Sequence, residues 1–292
     1  MRIPTEKTAG ARGLADIRLI ALDLDGTLLN EKKELSPRSR AALEAAAGAG
    51  IEIIPSTGRF YRGIPEVIRS LPFVRGAITV NGAHVIDLRS GETVYSAEIP
   101  RDDAVAFFEY LDTLPVIYDC YVDGWGYITA DMQERAPDYI DYAPSLHMVR
   151  TLRSPVPELK AFLCGQEKGV QKMQLFTRDV PLRDRLIPLL TGKYPSFVIT
   201  SSLPINIEIN GTGADKGRAL LALAEHLGIA REQTMAFGDG TNDMSMILAA
   251  GFGVAMGNAH PAVKAAADFV TADNNSDGVA VVIEKLLRGE FC

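Results

Sequence analysis

The chain has 292 residues, 47% of them hydrophobic and 23% charged, the balance of a globular protein with enough apolar surface to bury a large core. Disorder as the main state is excluded, and the length suits two domains or one large one. Lysine and arginine number 30 against 37 acidic residues, so the net charge of −7 disfavours nucleic-acid backbones but leaves room for a small phosphorylated ligand held by a local cation.

Residues 1–16 contain no apolar segment of the secretory kind and are expected to form a flexible extension. No run approaches a membrane span. Cys120, Cys164 and Cys292 are widely spaced and odd in number, which argues for reduced thiols and a cytoplasmic protein. Residues 17–22 (IRLIAL) are too short and apolar for a helix and predict a buried strand ending at Asp23. Ser36 and Pro37 suit the N-cap and first position of a helix that closes at Gly48 or Gly50. A second strand over 51–55, a helix over 61–70 and a third strand over 77–80 follow. This alternation predicts a parallel sheet covered by helices.

From 85 to 201 the rhythm changes to short strands and turns, with helices near 102–114 and 181–194, which predicts an inserted α+β module. The α/β rhythm then resumes with helix 215–227, strand 234–238, helix 242–250, strand 251–256, helix 261–267, strand 268–271 and helix 277–288. The expected architecture is α/β: a Rossmann-like parallel-sheet core (17–84 and 202–292) interrupted by an α+β cap (85–201).

Asp23-Leu24-Asp25-Gly26-Thr27 stands at the end of the first strand, where ligands of open α/β sheets bind. Period-two alternation would put Asp23 and Asp25 on one side, and like charges so close call for a divalent cation. Gly238-Asp239-Gly240-Thr241-Asn242-Asp243 repeats the pattern at a second strand end. Hard carboxylate ligands with water suit Mg²⁺ bridging to a phosphate. Ser56-Thr57-Gly58-Arg59 has the hydroxyl and backbone amides of a phosphate loop, though also those of an ordinary turn. Lys216, near a helix start, is able to neutralise the acids and hold a phosphoryl oxygen.

Together these pieces resemble the haloacid dehalogenase-like superfamily, in its Cof-type branch with a large cap; Asn81-Gly82-Ala83 matches a further pattern of that branch. The resemblance implies a Mg²⁺-dependent phosphatase acting on small phosphomonoesters, sugar phosphates or phosphorylated cofactors. It casts Asp23 as the nucleophile that becomes an aspartyl-phosphate and Asp25 as the general acid and base. Mg²⁺ would lie with Asp23, the Asp25 backbone carbonyl, Asp239 and Asp243. Thr57, Gly58, Lys216 and Asn242 would hold the phosphate. Arg59, Asn81 and Gly82 are placed at the substrate, with Asp123, Trp125 and Tyr127 of a cap hairpin as further substrate contacts. The rival functions are a sugar-phosphate mutase, which needs a second phosphate site for which Arg135, Arg150 and Arg153 are candidates, and a catalytically silent binding protein.

Overall fold

The computed structural model describes residues 16–201 and 203–291. The extension expected over 1–16 therefore lies outside the described residues, apart from Asp16, as does Cys292.

The strands in chain order are β1 (Leu19–Leu22), β2 (Glu52–Pro55), β3 (Gly76–Thr79), β4 (His84–Asp87), β5 (Glu92–Ser96), β6 (Ile117–Val122), β7 (Trp125–Thr129), β8 (Arg153–Val156), β9 (Lys172–Phe176), β10 (Phe197–Thr200), β11 (Asn206–Gly211), β12 (Thr234–Gly238), β13 (Phe252–Ala255) and β14 (Phe269–Val270). The core sheet runs β14-β13-β12-β1-β2, with every pairing parallel. Bridges from Ile53 to Val74 and from Ser56 to Ile78 carry β3 alongside β2.

β1 is buried at every position because both faces are covered. Ile20 and Leu22 pack among Leu43 of helix Pro37–Gly48 and Ile283 of helix Gly278–Leu287. Leu19 and Ala21 pack against Leu220 and Leu223 of helix Lys216–His226 and Met246 of helix Met244–Ala249. Each such leucine or isoleucine contributes about 1.5–3 kcal/mol. Helix Pro37–Gly48 starts as the sequence predicts: the Ser36 hydroxyl accepts from the Ser39 amide at 3.0 Å, and Pro37 has no amide to leave unpaired.

The second sheet runs β10-β11-β9-β6-β7-β8 and is antiparallel except at β7–β8. One face packs beneath helices Arg101–Leu111, Leu159–Cys164 and Val180–Lys193. The protein is thus the expected parallel-sheet α/β core carrying an α+β insert.

The structure departs from the sequence reading in four places. β4 pairs antiparallel with β3 and β5 antiparallel with β4, and Val85, Val94 and Tyr95 pack on the core, so the insert begins after residue 96 rather than at 85. β11 pairs with β9 and β10, so the insert extends to Gly211 rather than 201. A short apolar strand carries no mark of the sheet it will join. The helix expected over 61–70 is a 3₁₀ turn at Tyr61–Gly63 and one helical turn at Glu66–Arg69. Pro65 holds Ile64 in an extended conformation and interrupts the helix. The insert also holds helices Ala130–Tyr139, Ala143–Leu152 and Leu159–Cys164, beyond the two that the sequence predicts. The first contains Pro137 and buries only Ala136, so its helical period is faint.

Candidate active site

β1 and β12 are neighbours in register, Leu22 beside Phe237, so their carboxyl ends deliver Asp23 and Asp239 to one place. Gly26 lets the first loop close on the second: its φ is +95°, and a Cβ there would stand 2.5 Å from Asp239 Oδ2. The Thr27 hydroxyl donates to Asp239 Oδ1 at 2.7 Å. The 3₁₀ turn Thr241–Asp243 brings Asp243 back to the same point, where its Oδ2 accepts from the amides of Asp239 and Gly240 at 3.0 and 2.9 Å. Carboxylate oxygens of Asp23, Asp239 and Asp243 lie within 4.8 Å of one another.

Lys216 enters this group from the first turn of its helix. Its Nζ donates to Asp23 Oδ1 at 2.7 Å, to Asp243 Oδ1 at 2.6 Å and to the Ser56 carbonyl at 3.0 Å. Its side chain has no exposed surface. Burial alone would push the ammonium down, but Asp23 and Asp243 outweigh it and hold it above the ordinary lysine value. Burial raises the Asp23 carboxyl to about 7 against the pull of Lys216, with Asp243 and Asp239 pushing the same way as burial. Asp239 is raised by burial as well, although the Thr27 hydrogen bond opposes it.

Asp25 is placed differently from the period-two expectation. The strand ends at Leu22, the chain turns, and the Asp25 carboxylate is not one of the clustered three. It is gripped instead by Arg59, whose Nε and Nη2 donate to its two oxygens at 2.8 and 3.0 Å, and by Lys33 at 2.9 Å. Burial pushes Asp25 up, and the bonds and charges of Arg59 and Lys33 more than offset this, leaving it below the usual carboxylate value. Nothing in the sequence singles out Lys33, because a lysine in the charged stretch EKKE looks like solvated surface. Its φ of +62° belongs to the turn that bends it back.

The loop after β2 joins the site through its main chain. Thr57 is buried, and its amide donates to the Ile78 carbonyl at 2.9 Å. Gly58 lies against the Asn81 side chain, and Asn242 Nδ2 donates to Asn81 Oδ1 at 3.3 Å. Thr57, Gly58, Asn81, Gly82, Lys216 and Asn242 are thus drawn into one set of touching loops.

The cap hairpin does not converge as the sequence suggested. Asp123 sits at its tip with φ +50°, half exposed and paired with Lys168 at 2.5 Å. Tyr127 packs on Phe162 with ring centroids 4.3 Å apart, on the helix-covered side of the sheet. Trp125 meets the core, where the Arg62 guanidinium lies 3.5 Å from its ring centroid. Further contacts that the sequence did not reveal join cap and core at Phe60: its ring centroid is 5.3 Å from that of Tyr121, and the Arg153 guanidinium stands 5.0 Å above it. Arg153 is buried and committed to Asp119 Oδ2 at 2.8 Å and the Tyr121 hydroxyl at 2.6 Å. Arg135 pairs with Asp131, and Arg150 stands exposed on helix Ala143–Leu152.

A parallel α/β core with acids from two adjacent strand ends, tied by a buried lysine, has the charge and donors of a phosphoryl-binding site. Residues 20–283 match the family model of haloacid dehalogenase-like hydrolases. The chain is 32% identical to phosphatase YwpJ of Bacillus subtilis, over 93% of this chain and 100% of that protein. It is 33% identical to pyridoxal phosphate phosphatase YbhA of Escherichia coli, over 91% of this chain and 97% of that one. The crystal structure of a haloacid dehalogenase-like hydrolase from Bacteroides thetaiotaomicron superposes with a TM-score of 0.79 at 31% identity, covering 92% of this chain and 99% of that one. The chain belongs to the haloacid dehalogenase-like hydrolase family and is one of its phosphatases.

Proposed function

We propose that the protein hydrolyses small phosphomonoesters through an aspartyl-phosphate on Asp23, with Mg²⁺ as its cofactor. The observation that carries this reading is Lys216, buried between Asp23 and Asp243 beside Asp239. Three carboxylates against one ammonium leave excess negative charge in a buried place, and an all-oxygen donor set suits a hard divalent cation. Both oxygens of Asp243 are taken by Lys216 and backbone amides, so Asp23 and Asp239 are the side chains best placed to hold the ion, with Asp243 orienting their loop. When bound, Mg²⁺ supplies positive charge that favours the ionised carboxylates and a phosphate dianion.

An Asp23 oxygen attacks phosphorus, the bond to the ester oxygen breaks, and Asp25 gives that oxygen a proton. Water then attacks the aspartyl-phosphate, returns a proton to Asp25 and releases orthophosphate. Lys216 and the Thr57 loop, with Asn242 nearby, hold the phosphoryl oxygens. The substrate is a small phosphorylated metabolite, a sugar phosphate or a phosphorylated cofactor of the kind named for YbhA. Hydrolysis is favoured over mutase chemistry because Arg153 and Arg135 of the insert are already paired with acids. The test is a panel of phosphate esters assayed for phosphate release with and without EDTA, alongside Asp23→Asn. Isomerisation of a hexose 1-phosphate without phosphate release would reverse the choice.

A further inference from the structure

After β3 the chain makes three successive left-handed residues, Val80 at φ +55°, Asn81 at φ +57° and Gly82 at φ +89°. Asparagine and glycine accept this conformation; a β-branched residue is strained in it. Val80 is held there by burial, packed with Phe60, Ala83, Ala97 and Tyr121 of the insert. Such strain persists only where the surroundings over-determine it.

This turn touches each of the three loops given phosphate-binding residues above. The Val80 amide donates to the Arg59 carbonyl at 2.9 Å, and the Asn81 amide donates to the Thr57 carbonyl at 3.0 Å. Asn81 Oδ1 accepts from Asn242 at 3.3 Å and lies 2.9 Å from where a Gly58 Cβ would stand. Gly82 lies against the start of the lysine helix, where a Cβ would come within 2.4 Å of the Asp215 carbonyl and 2.7 Å of the Lys216 amide. Residues from three separate stretches of chain are therefore spaced by one strained turn.

We propose that Asn81 is a positioning residue, and that the turn Val80–Gly82 sets the mutual spacing of Thr57, Lys216 and Asn242 around the phosphoryl group. This rests on the phosphatase reading above, and it moves Asn81 and Gly82 from substrate contacts to the frame that aligns them. Ground-state binding of an ester tolerates small displacements, whereas a five-coordinate phosphoryl group requires all its partners at once.

Orthovanadate with Mg²⁺ is the probe, since it adopts phosphoryl geometry without turnover. Asn81→Gly keeps the left-handed backbone and removes the amide. Vanadate binding and kcat for p-nitrophenyl phosphate are each expected to fall by roughly tenfold or more, while KM moves less than about threefold. The melting temperature is expected to stay close to that of the wild type, which separates positioning from folding. Combined with Asn242→Ala, the losses are expected to fall well short of multiplying, because both substitutions cut one link. Unchanged vanadate affinity in folded Asn81→Gly, or losses that multiply in full, would overturn the proposal. Should Asn81→Gly not fold, Asn81→Ser takes its place in the same cycle, with coupling to Asn242 supporting the proposal and independence overturning it. A wild type that binds vanadate but cleaves no ester would refute the phosphatase reading and leave this measurement readable.

Discussion

Arg59 holds both carboxylate oxygens of Asp25, at 2.8 and 3.0 Å, in a forked ion pair across the mouth of the site. The proposed general acid is therefore kept ionised by a residue of the neighbouring loop. To protonate a leaving group, Asp25 has to be carried away from that state by the arriving substrate.

Arg59→Met removes the larger part of this restraint. The Asp25 carboxyl then moves up from its lowered value, because its burial is no longer offset by the guanidinium. The basic limb of the kcat/KM profile for an alkyl phosphate is expected to shift to higher pH. With p-nitrophenyl phosphate, whose leaving group needs little protonation, the shift is expected to be smaller. Superimposable profiles for wild type and variant would show that Arg59 does not govern this proton.

Metal removal has a signature in stability as well as activity. Asp23 has a carboxyl pKa of about 7 in the folded chain against an ordinary 3.8, so folding without metal takes up a proton between those values. The metal-free protein is accordingly expected to lose stability as pH rises from about 4 to 7. Mg²⁺ at about 100 times its Kd is expected to add about 2.7 kcal/mol. Because it favours the ionised carboxylates, Mg²⁺ is also expected to flatten the pH trend. Thermal melts across pH, with EDTA or Mg²⁺, measure both; Asp239→Asn is expected to weaken the Mg²⁺ response strongly.

Lys216→Met leaves Asp23 and Asp243 buried without their ammonium. Removing one partner of a buried pair costs about 3–5 kcal/mol, and phosphatase activity is expected to vanish. The deficit is expected to shrink as pH falls from 7 to 5, because protonation relieves the stranded carboxylates. Chemical denaturation at the two pH values checks this. An equal deficit at both would mean that the lysine serves packing rather than charge.

Trp125 is the single tryptophan of the chain, and it lies under Arg62 of the core. Its fluorescence therefore reads the contact between cap and core directly. Arg62→Ala is expected to cost about 0.5–2 kcal/mol of cap closure, raise KM and shift the emission of Trp125. Orthovanadate with Mg²⁺ is expected to change the wild-type emission and to change it less in the variant. Trp125→Ala assayed on several esters then tells whether the contact also ranks substrates: a changed order in a folded variant assigns it selectivity, a uniform loss assigns it closure alone.

The α/β core, the Ser36 cap, the two acidic strand ends and Lys216 as their counter-charge are all legible in the amino-acid order. These follow from local rules: an apolar run, a capping hydroxyl, and acids set directly after buried strands. The sequence also marked Thr57, Asn81 and Asn242, but not that one turn joins them. Where Asp25 points is set by the folded chain, because the strand stops at Leu22 and alternation ends with it. The same holds for β11, whose place beside β9 rests on residues some thirty positions away, and for β4 and β5, which fold back locally on β3 in a meander that a short apolar stretch does not announce. The Gly-flanked hairpin likewise presents Asp123, Trp125 and Tyr127 together as candidates, and packing gives them different partners, Trp125 beneath Arg62, Tyr127 against Phe162 and Asp123 with Lys168. Periodicity records which side of an element is buried; what it is buried against depends on residues far away in the chain.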